Sequence, residues 1–178
     1  ETLPMWKDDA GAYLELLKTG YRAAKDANPS CVIMLGGFTD RTINMHLGKV
    51  HPSDEVVGDW SPLTQKQRLE RSAKFAQTVL DKGSAYFDIV DLHAYGPYTE
   101  IPELVQWLKN AMKRKGYQKP IWATEISGPT EKYSEQRQAE EAVKRTILAL
   151  SEGVEKVFWF SLFDANTKQE RFRKLGLT

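Results

Sequence analysis

Apolar residues along the chain occur in two alternating patterns. In four stretches they recur at spacings of three and four, which is typical of a helix with one buried face. These stretches are residues 13–24, 64–82, 101–112 and 139–150. Each is followed by a short run that is almost continuously apolar, as strands covered on both faces are. These runs are residues 31–38, 86–96, 119–127 and 156–164.

Local signals refine the ends of these elements. Asn28-Pro29 ends the first helix, because a residue before proline disfavours the helical conformation. Ser134 is a suitable N-cap for the fourth helix, whose inner face is predicted to include Val143 and Ile147. Residues 39–63 are polar and interrupted by glycine and proline, which predicts a long loop after the first strand.

The order of the elements predicts the fold class. A helix precedes every strand, so the strands are expected to pair in parallel with helices crossing over between them. At 178 residues the chain is long enough for one domain with its own core. The pattern predicts an α/β protein, and both a doubly wound sheet and a (β/α) barrel satisfy it.

The composition narrows the possible partners. With 25 basic and 24 acidic residues the formal charge is +1, so a surface for nucleic acid or an anionic membrane is not expected. No apolar run approaches the length that spans a bilayer. The single cysteine, Cys31, excludes an internal disulfide. Because the chain begins at Glu1 and not at methionine, we expect it to be processed or to be a piece of something longer.

Polar residues follow three of the predicted strands at their carboxyl ends, where α/β folds carry their active sites. They are His93 and Tyr95, then Glu125, then Asp164 and Asn166. Glu125 ends the apolar run PIWATEIS, and a carboxylate in such surroundings costs free energy unless it is paired or chemically used. The alternative is a glutamate that has just emerged into solvent.

Two other kinds of site find less support in the sequence. Gly36-Gly37 lacks the third glycine of a dinucleotide-binding loop and precedes a polar stretch rather than a helix. His46, His51 and His93 have no recognised metal-ligand spacing, so no metal site is predicted.

Three motifs in the second half of the chain resemble those of a known enzyme group. DLHAYG, PIWATEIS and VFWFSLFD are similar to strands six, seven and eight of the clan A glycoside hydrolases, the (β/α)8-barrel retaining glycosidases with cellulase-like and β-xylosidase-like families. The segment LPMWKDDAGAYLELLKTGYRAAKDANPSCVIMLGGF resembles the helix and strand that follow that clan's Asn-Glu acid/base motif. The resemblance implies that residues 1–178 form the carboxyl-terminal half of a TIM barrel, strands five to eight with their intervening helices.

The resemblance also implies roles for individual residues. Glu125 is the expected nucleophile for retaining hydrolysis of a β-glycosidic bond in an oligo- or polysaccharide, without metal ion or organic cofactor. Tyr95 is expected to donate a hydrogen bond that favours the charged form of Glu125, and His93 to orient sugar hydroxyls. Trp159 is expected to lie under a sugar ring, but Phe160 precedes the serine as the clan's aromatic residue does, so either can line the site.

The missing half of the barrel leads to further expectations. Glu1 is either the acid/base residue or an acidic residue just beyond it. Residues 31–35 and 157–162 would be free sheet edges, so the chain is expected to self-associate and, with its carboxylate pair incomplete, to be inactive by itself. The alternatives are a non-catalytic carbohydrate-binding or scaffold half-barrel, and an unrelated α/β enzyme that uses its glutamate as a base.

Overall fold

Four parallel strands form one sheet in the order in which they occur along the chain. The computed structural model describes residues 6, 8–49, 65–128, 134–164 and 175–177. The strands are β1 Phe38–Thr39, β2 Val90–Ala94, β3 Ile121–Ile126 and β4 Lys156–Trp159. The helices are α1 Ala10–Ala27, α2 Asp40–His46, α3 Gln65–Lys82, α4 Ile101–Arg114 and α5 Glu135–Ser151.

This topology confirms the predicted α/β class with parallel pairing. Each strand pairs with its neighbours in sequence, and helices connect them. A doubly wound sheet reverses its strand order at a switch point. The described strands contain no such reversal, and their order is the one expected in a segment of a (β/α) barrel. None of the helices in the described ranges combines the length and the apolar composition needed to cross a membrane.

The first strand and the loop after it differ from the prediction. Within residues 31–38, Met34 forms an isolated parallel bridge to Ile89, and regular pairing is limited to β1. The predicted loop at 39–63 contains α2 in its described part, and residues 50–63 lie outside the described residues. Helix α2 forms because the Thr39 side chain caps the Thr42 amide and because Ile43 is completely buried.

The hydrophobic core lies between the sheet and helices α3 and α4. The predicted inner face of α4 is confirmed, since its five apolar residues are at most 1% exposed. They are Ile101, Leu104, Val105, Leu108 and Met112. On β2, Val90, Leu92 and Ala94 point into this core, so the residues between them face the opposite side of the sheet.

The prediction of which face α5 buries is wrong. Val143 and Ile147 are 58% and 59% exposed, whereas Glu141 and Arg145 are buried on the other face. The two buried charges pair with each other, because Arg145 Nε and Nη2 each lie 3.1 Å from Glu141 Oε2. A buried charge pair with hydrogen bonds is tolerated. The helix therefore turns its polar stripe toward the protein and leaves its apolar stripe in solvent.

Strand β3 carries one extra residue in its pairing with each of the two neighbouring strands. On the β2 side, Asp91 pairs with Trp122, but His93 pairs with Glu125. Two residues of β3 therefore lie opposite one residue of β2, and the register with β4 shifts over the same part of the strand. This is a β-bulge, and the residue common to both shifts is Thr124. Without the bulge, Thr124 would lie opposite His93.

A polar cluster joins α1 to the amino ends of the strands. The Asp88 carboxylate accepts the Ile33 amide at 2.9 Å and pairs with Lys25 Nζ at 2.9 Å. Partial burial by itself would raise the pKa of Asp88. The hydrogen bonds from Lys25 and Ile33 and the charges of Lys25 and Lys119 more than offset that effect and hold the pKa below its ordinary value.

Replacement of Asp88 by asparagine tests this cluster. At neutral pH, Asp88→Asn should lower the thermal unfolding midpoint by about 2–4 °C, the effect of losing roughly one hydrogen bond to a charge. A lowered folded-state pKa stabilises the protein above the ordinary pKa of 3.8, and this contribution disappears as the pH falls through the folded value. Calorimetry should therefore find that the difference between the two proteins begins to shrink near pH 3.8 and vanishes only below the folded pKa of Asp88.

The matched control is Asp26→Asn, which changes an exposed carboxylate on α1. It should leave the midpoint unchanged. An equal loss of stability for Asp88→Asn at acidic and neutral pH would contradict the role given to the carboxylate charge.

Candidate active site

The candidate site lies at the carboxyl ends of β2 and β3. Asp91 and His93 are two residues apart on the face of β2 that is turned away from the core. The bulge in β3 places Glu125 directly opposite His93. Tyr95 follows β2 by one residue. The local pairing therefore brings together three residues that are predicted from the sequence: His93, Tyr95 and Glu125.

The Glu125 carboxylate has two polar neighbours on the same oxygen. The Tyr95 hydroxyl donates a short hydrogen bond to Glu125 Oε2. His93 Nδ1 lies 3.3 Å from that oxygen. Within the described part of the chain, the polar contacts of this carboxylate all involve Oε2. The side chain is 21% exposed, so the group is held on one side and remains open on the other.

A second carboxylate lies beneath His93. Asp91 is 3% exposed, and its oxygens accept the Thr124 hydroxyl at 2.7 and 2.8 Å and the Thr124 amide at 3.1 Å. His93 Nε2 lies 3.1 Å from Asp91 Oδ2. A buried carboxylate is stable only when it is hydrogen-bonded in this way. The imidazole of His93 thus lies between a buried carboxylate and a partly open one.

Gly37 sets the space that the His93 ring occupies. A Cβ atom built on Gly37 would come within 2.1 Å of His93 Nε2 and within 2.4 Å of two ring carbons. No side chain can be accommodated there without moving the ring. Gly37, the second residue of the Gly36-Gly37 pair in the sequence, therefore has a packing function at this site.

Asp40 holds the backbone that carries Tyr95. Its Oδ2 accepts the amides of Tyr95 and Gly96, at 2.8 and 2.5 Å. Asp40 is 5% exposed and is the first residue of α2. The sequence analysis did not identify it as a site residue. Its position after the first strand is visible in the sequence, but its contact with a turn 55 residues away depends on tertiary structure.

The two aromatic residues at the end of β4 have different surroundings. Trp159 packs against the hydrophobic core, and its indole N–H donates to the Leu175 carbonyl at 3.0 Å. Phe160 is 36% exposed, and its ring meets the edge of Tyr95 with a centroid distance of 6.2 Å. The structure therefore brings Phe160, and not Trp159, next to the Tyr95–Glu125 pair.

Other residues noted in the sequence are not part of this cluster or lie outside the described residues. His46 bonds the Ala73 carbonyl at 2.9 Å and stacks on Trp107. In the ranges that the structure describes, no group of three or more His, Cys, Asp or Glu side chains is arranged to hold a metal ion. The remaining candidates, Glu1, His51 and Asn166, lie outside the described residues.

Chemically, the cluster presents a carboxylate with one engaged and one open oxygen beside an exposed aromatic ring. Such a carboxylate can act as a nucleophile, as a base or as a partner for hydroxyl groups.

Comparison with known proteins identifies the family. No curated protein and no solved structure matches the chain. The family model for the glycosyl hydrolase catalytic core matches residues 53–176. The matched span covers more than half of the chain and includes β2, β3 and β4 with the cluster around Glu125. The chain therefore belongs to the glycosyl hydrolase catalytic core family.

Proposed function

We propose that Glu125 is the nucleophile of a retaining glycosidase that cleaves β-glycosidic bonds. The observation that carries the proposal is the asymmetric setting of its carboxylate. Oε2 receives the Tyr95 hydroxyl and lies against His93, while the side chain stays partly open. The hydrogen bond from Tyr95 to Oε2 holds the carboxylate in one orientation. The other oxygen is then free to attack a substrate.

The proposed reaction is a double displacement. A Glu125 oxygen bonds to the anomeric carbon while the glycosidic bond breaks and an acid protonates the departing oxygen. The resulting glycosyl ester is then attacked by water, which gives up a proton to the same acid/base group and releases Glu125 as a carboxylate. No metal ion or organic cofactor takes part in this scheme.

The substrate in this proposal is an oligo- or polysaccharide with a β-linkage. Phe160 offers an exposed aromatic face beside Tyr95 on which a sugar ring can stack. Trp159, the residue that the resemblance first suggested for this role, supports the end of β4 through its contacts with the core and Leu175. His93 is only 6% exposed, so in this proposal it lies against Glu125 and does not bind sugar hydroxyls.

We assign the acid/base role to a residue outside the described ranges. Asp91 is the other carboxylate in this cluster, but it is buried beneath His93 and bonded to Thr124. It has no access to a leaving group. A retaining pair needs carboxyl groups about 5 Å apart, and Glu1 is the candidate that the sequence offers.

A mechanism-based sugar tests the assignment of Glu125. A panel of 2-deoxy-2-fluoro-β-glycosides with dinitrophenolate as leaving group should form a covalent ester at Glu125, detected by intact mass and peptide mapping. Dinitrophenolate departs without protonation, so this step does not depend on the acid/base residue. Glu125→Gln should abolish the adduct while the circular dichroism spectrum stays native, because the change keeps the shape and removes the nucleophilic oxygen.

The matched control is Glu155→Gln, which changes a glutamate just before the amino end of β4. It should label at the wild-type rate. If every sugar in the panel binds to the wild-type protein without forming an adduct, the chain is a carbohydrate-binding module instead. An adduct on a different residue would assign the nucleophile elsewhere.

Removal of the Tyr95 hydroxyl tests the second contact of Glu125. Tyr95→Phe keeps the ring that touches Phe160 and should slow adduct formation by about one to three powers of ten, the effect of one placed hydrogen bond to charge. The control is Tyr117→Phe, since the Tyr117 hydroxyl donates to the Leu80 carbonyl instead of to the site. Equal rates for Tyr95→Phe and the wild type would exclude a role for the hydroxyl.

We further propose that the 178-residue chain self-associates through its sheet edges. Val32 and Met34 are exposed near one edge, and Phe158, Leu162 and Phe163 are exposed at or near the other. Apolar edges of this kind recruit other strands, so light scattering on a size-exclusion column should give the mass of a dimer. Val32→Lys should shift the protein toward monomer, whereas Val143→Lys on the exposed face of α5 should not. A monomer at every concentration would refute the proposal.

A further inference from the structure

The buried carboxylate of Asp91 is not explained by the chemistry proposed for Glu125. Asp91 lies on β2 two residues before His93, the residue that pairs with Glu125, and it is 3% exposed. Its partners are Thr124 and His93, which come from two different strands. A carboxylate at this depth is costly, and a neutral residue of similar size would fill the same space.

One contact stabilises the bulge in β3. The extra residue of the bulge is Thr124, and its amide donates to Asp91 Oδ1 at 3.1 Å. The Thr124 hydroxyl lies 2.8 Å from the same oxygen and 2.7 Å from Oδ2. A bulge interrupts the ladder and leaves backbone groups that need other partners. Asp91 supplies that partner from its position two residues before His93 on β2.

The other contact determines which ring nitrogen of His93 carries a hydrogen. A carboxylate only accepts hydrogen bonds, so His93 Nε2 must be the donor in its 3.1 Å contact with Asp91. The Thr124 hydroxyl is 3.3 Å from Nε2, but it is closer to the carboxylate, which takes its single hydrogen. The opposite nitrogen, Nδ1, lies 3.3 Å from Glu125 Oε2. When the ring is neutral, Nδ1 is the nitrogen without hydrogen.

We propose that Asp91 is a positioning residue for Glu125. It holds the bulge that brings Glu125 opposite His93, and it fixes the His93 ring by accepting the hydrogen on Nε2. Nδ1 of the neutral ring then offers Glu125 no hydrogen bond, so Tyr95 is the donor that holds the carboxylate. The proposal rests on the proposed function of Glu125, but its structural part is separate from any turnover. Asp91 itself does not touch the substrate.

Nitrogen-15 NMR of histidine side chains tests the proposal directly. The chain has three histidines, and the His93 signals are identified by their absence in His93→Gln. In the wild-type protein, Nε2 should carry a hydrogen at every pH at which the protein is folded. In Asp91→Asn, the Thr124 amide retains the side-chain oxygen, so the NH2 group faces Nε2 and donates to it. The neutral ring should then carry its hydrogen on Nδ1.

The control is Asp88→Asn, which removes a stabilising carboxylate just before the same strand. It lowers stability without contacting His93, so the His93 signals should stay as in the wild type. A merely structural role for Asp91 predicts that both variants behave alike. Nε2 without hydrogen in the wild type would overturn the proposal even if Asp91→Asn fails to fold. Nε2 that keeps its hydrogen in folded Asp91→Asn would also overturn it.

The rate of fluorosugar labelling gives an independent readout. A displacement of the carboxylate by about 1 Å costs about 10²-fold in rate. Asp91→Ala removes the contacts to both Thr124 and His93, so it should label about 10²-fold more slowly than wild type, whereas Asp88→Asn should not. Wild-type rates for folded Asp91→Ala would refute a positioning role. If the wild-type protein forms no adduct, the proposed function of Glu125 fails, while the NMR result still decides whether Asp91 controls His93.

Discussion

The extra residue in β3 is the constraint on which the rest of the site depends. Side chains alternate between the two faces of a strand, so a shift of one residue changes which group stands beside His93. With Thr124 as the bulged residue, Glu125 lies opposite His93 at the carboxyl ends of the two central strands. The Asp91 carboxylate binds the amide and hydroxyl of Thr124. The contacts between Asp91 and Thr124 thus determine where Glu125 lies relative to His93.

Three acidic side chains around this edge have different roles because their surroundings differ. Asp40 is buried and accepts two backbone amides, so it serves to hold the turn after β2. Asp91 is buried and bonded to side chains, so it orients His93. Glu125 alone of the three keeps part of its surface open while one oxygen is engaged. The partly open carboxylate suits a group that must bond to a substrate.

The exposed apolar surfaces fit a sheet that is part of a larger barrel. Consecutive parallel pairing, without a reversal in the described strands, is the strand order of a barrel segment. Val32 and Met34 near one edge strand, and Phe158 on β4 at the other, are exposed where a closed barrel would continue the sheet. Apolar area of this kind on one molecule is usually covered by another protein surface.

The sequence by itself determined helices α1, α3, α4 and α5, strands β2 to β4, their order, and the position of Glu125 at the end of an apolar strand. These features depend on local periodicity and on short motifs, which neighbouring residues carry. The tertiary structure alone decided the bulge at Thr124, the contacts of Asp40 and Asp91, the choice of Phe160 beside Tyr95, and the face that α5 buries. Strand register and the side of a helix that meets the sheet are set by residues far apart along the chain, so no local pattern contains them.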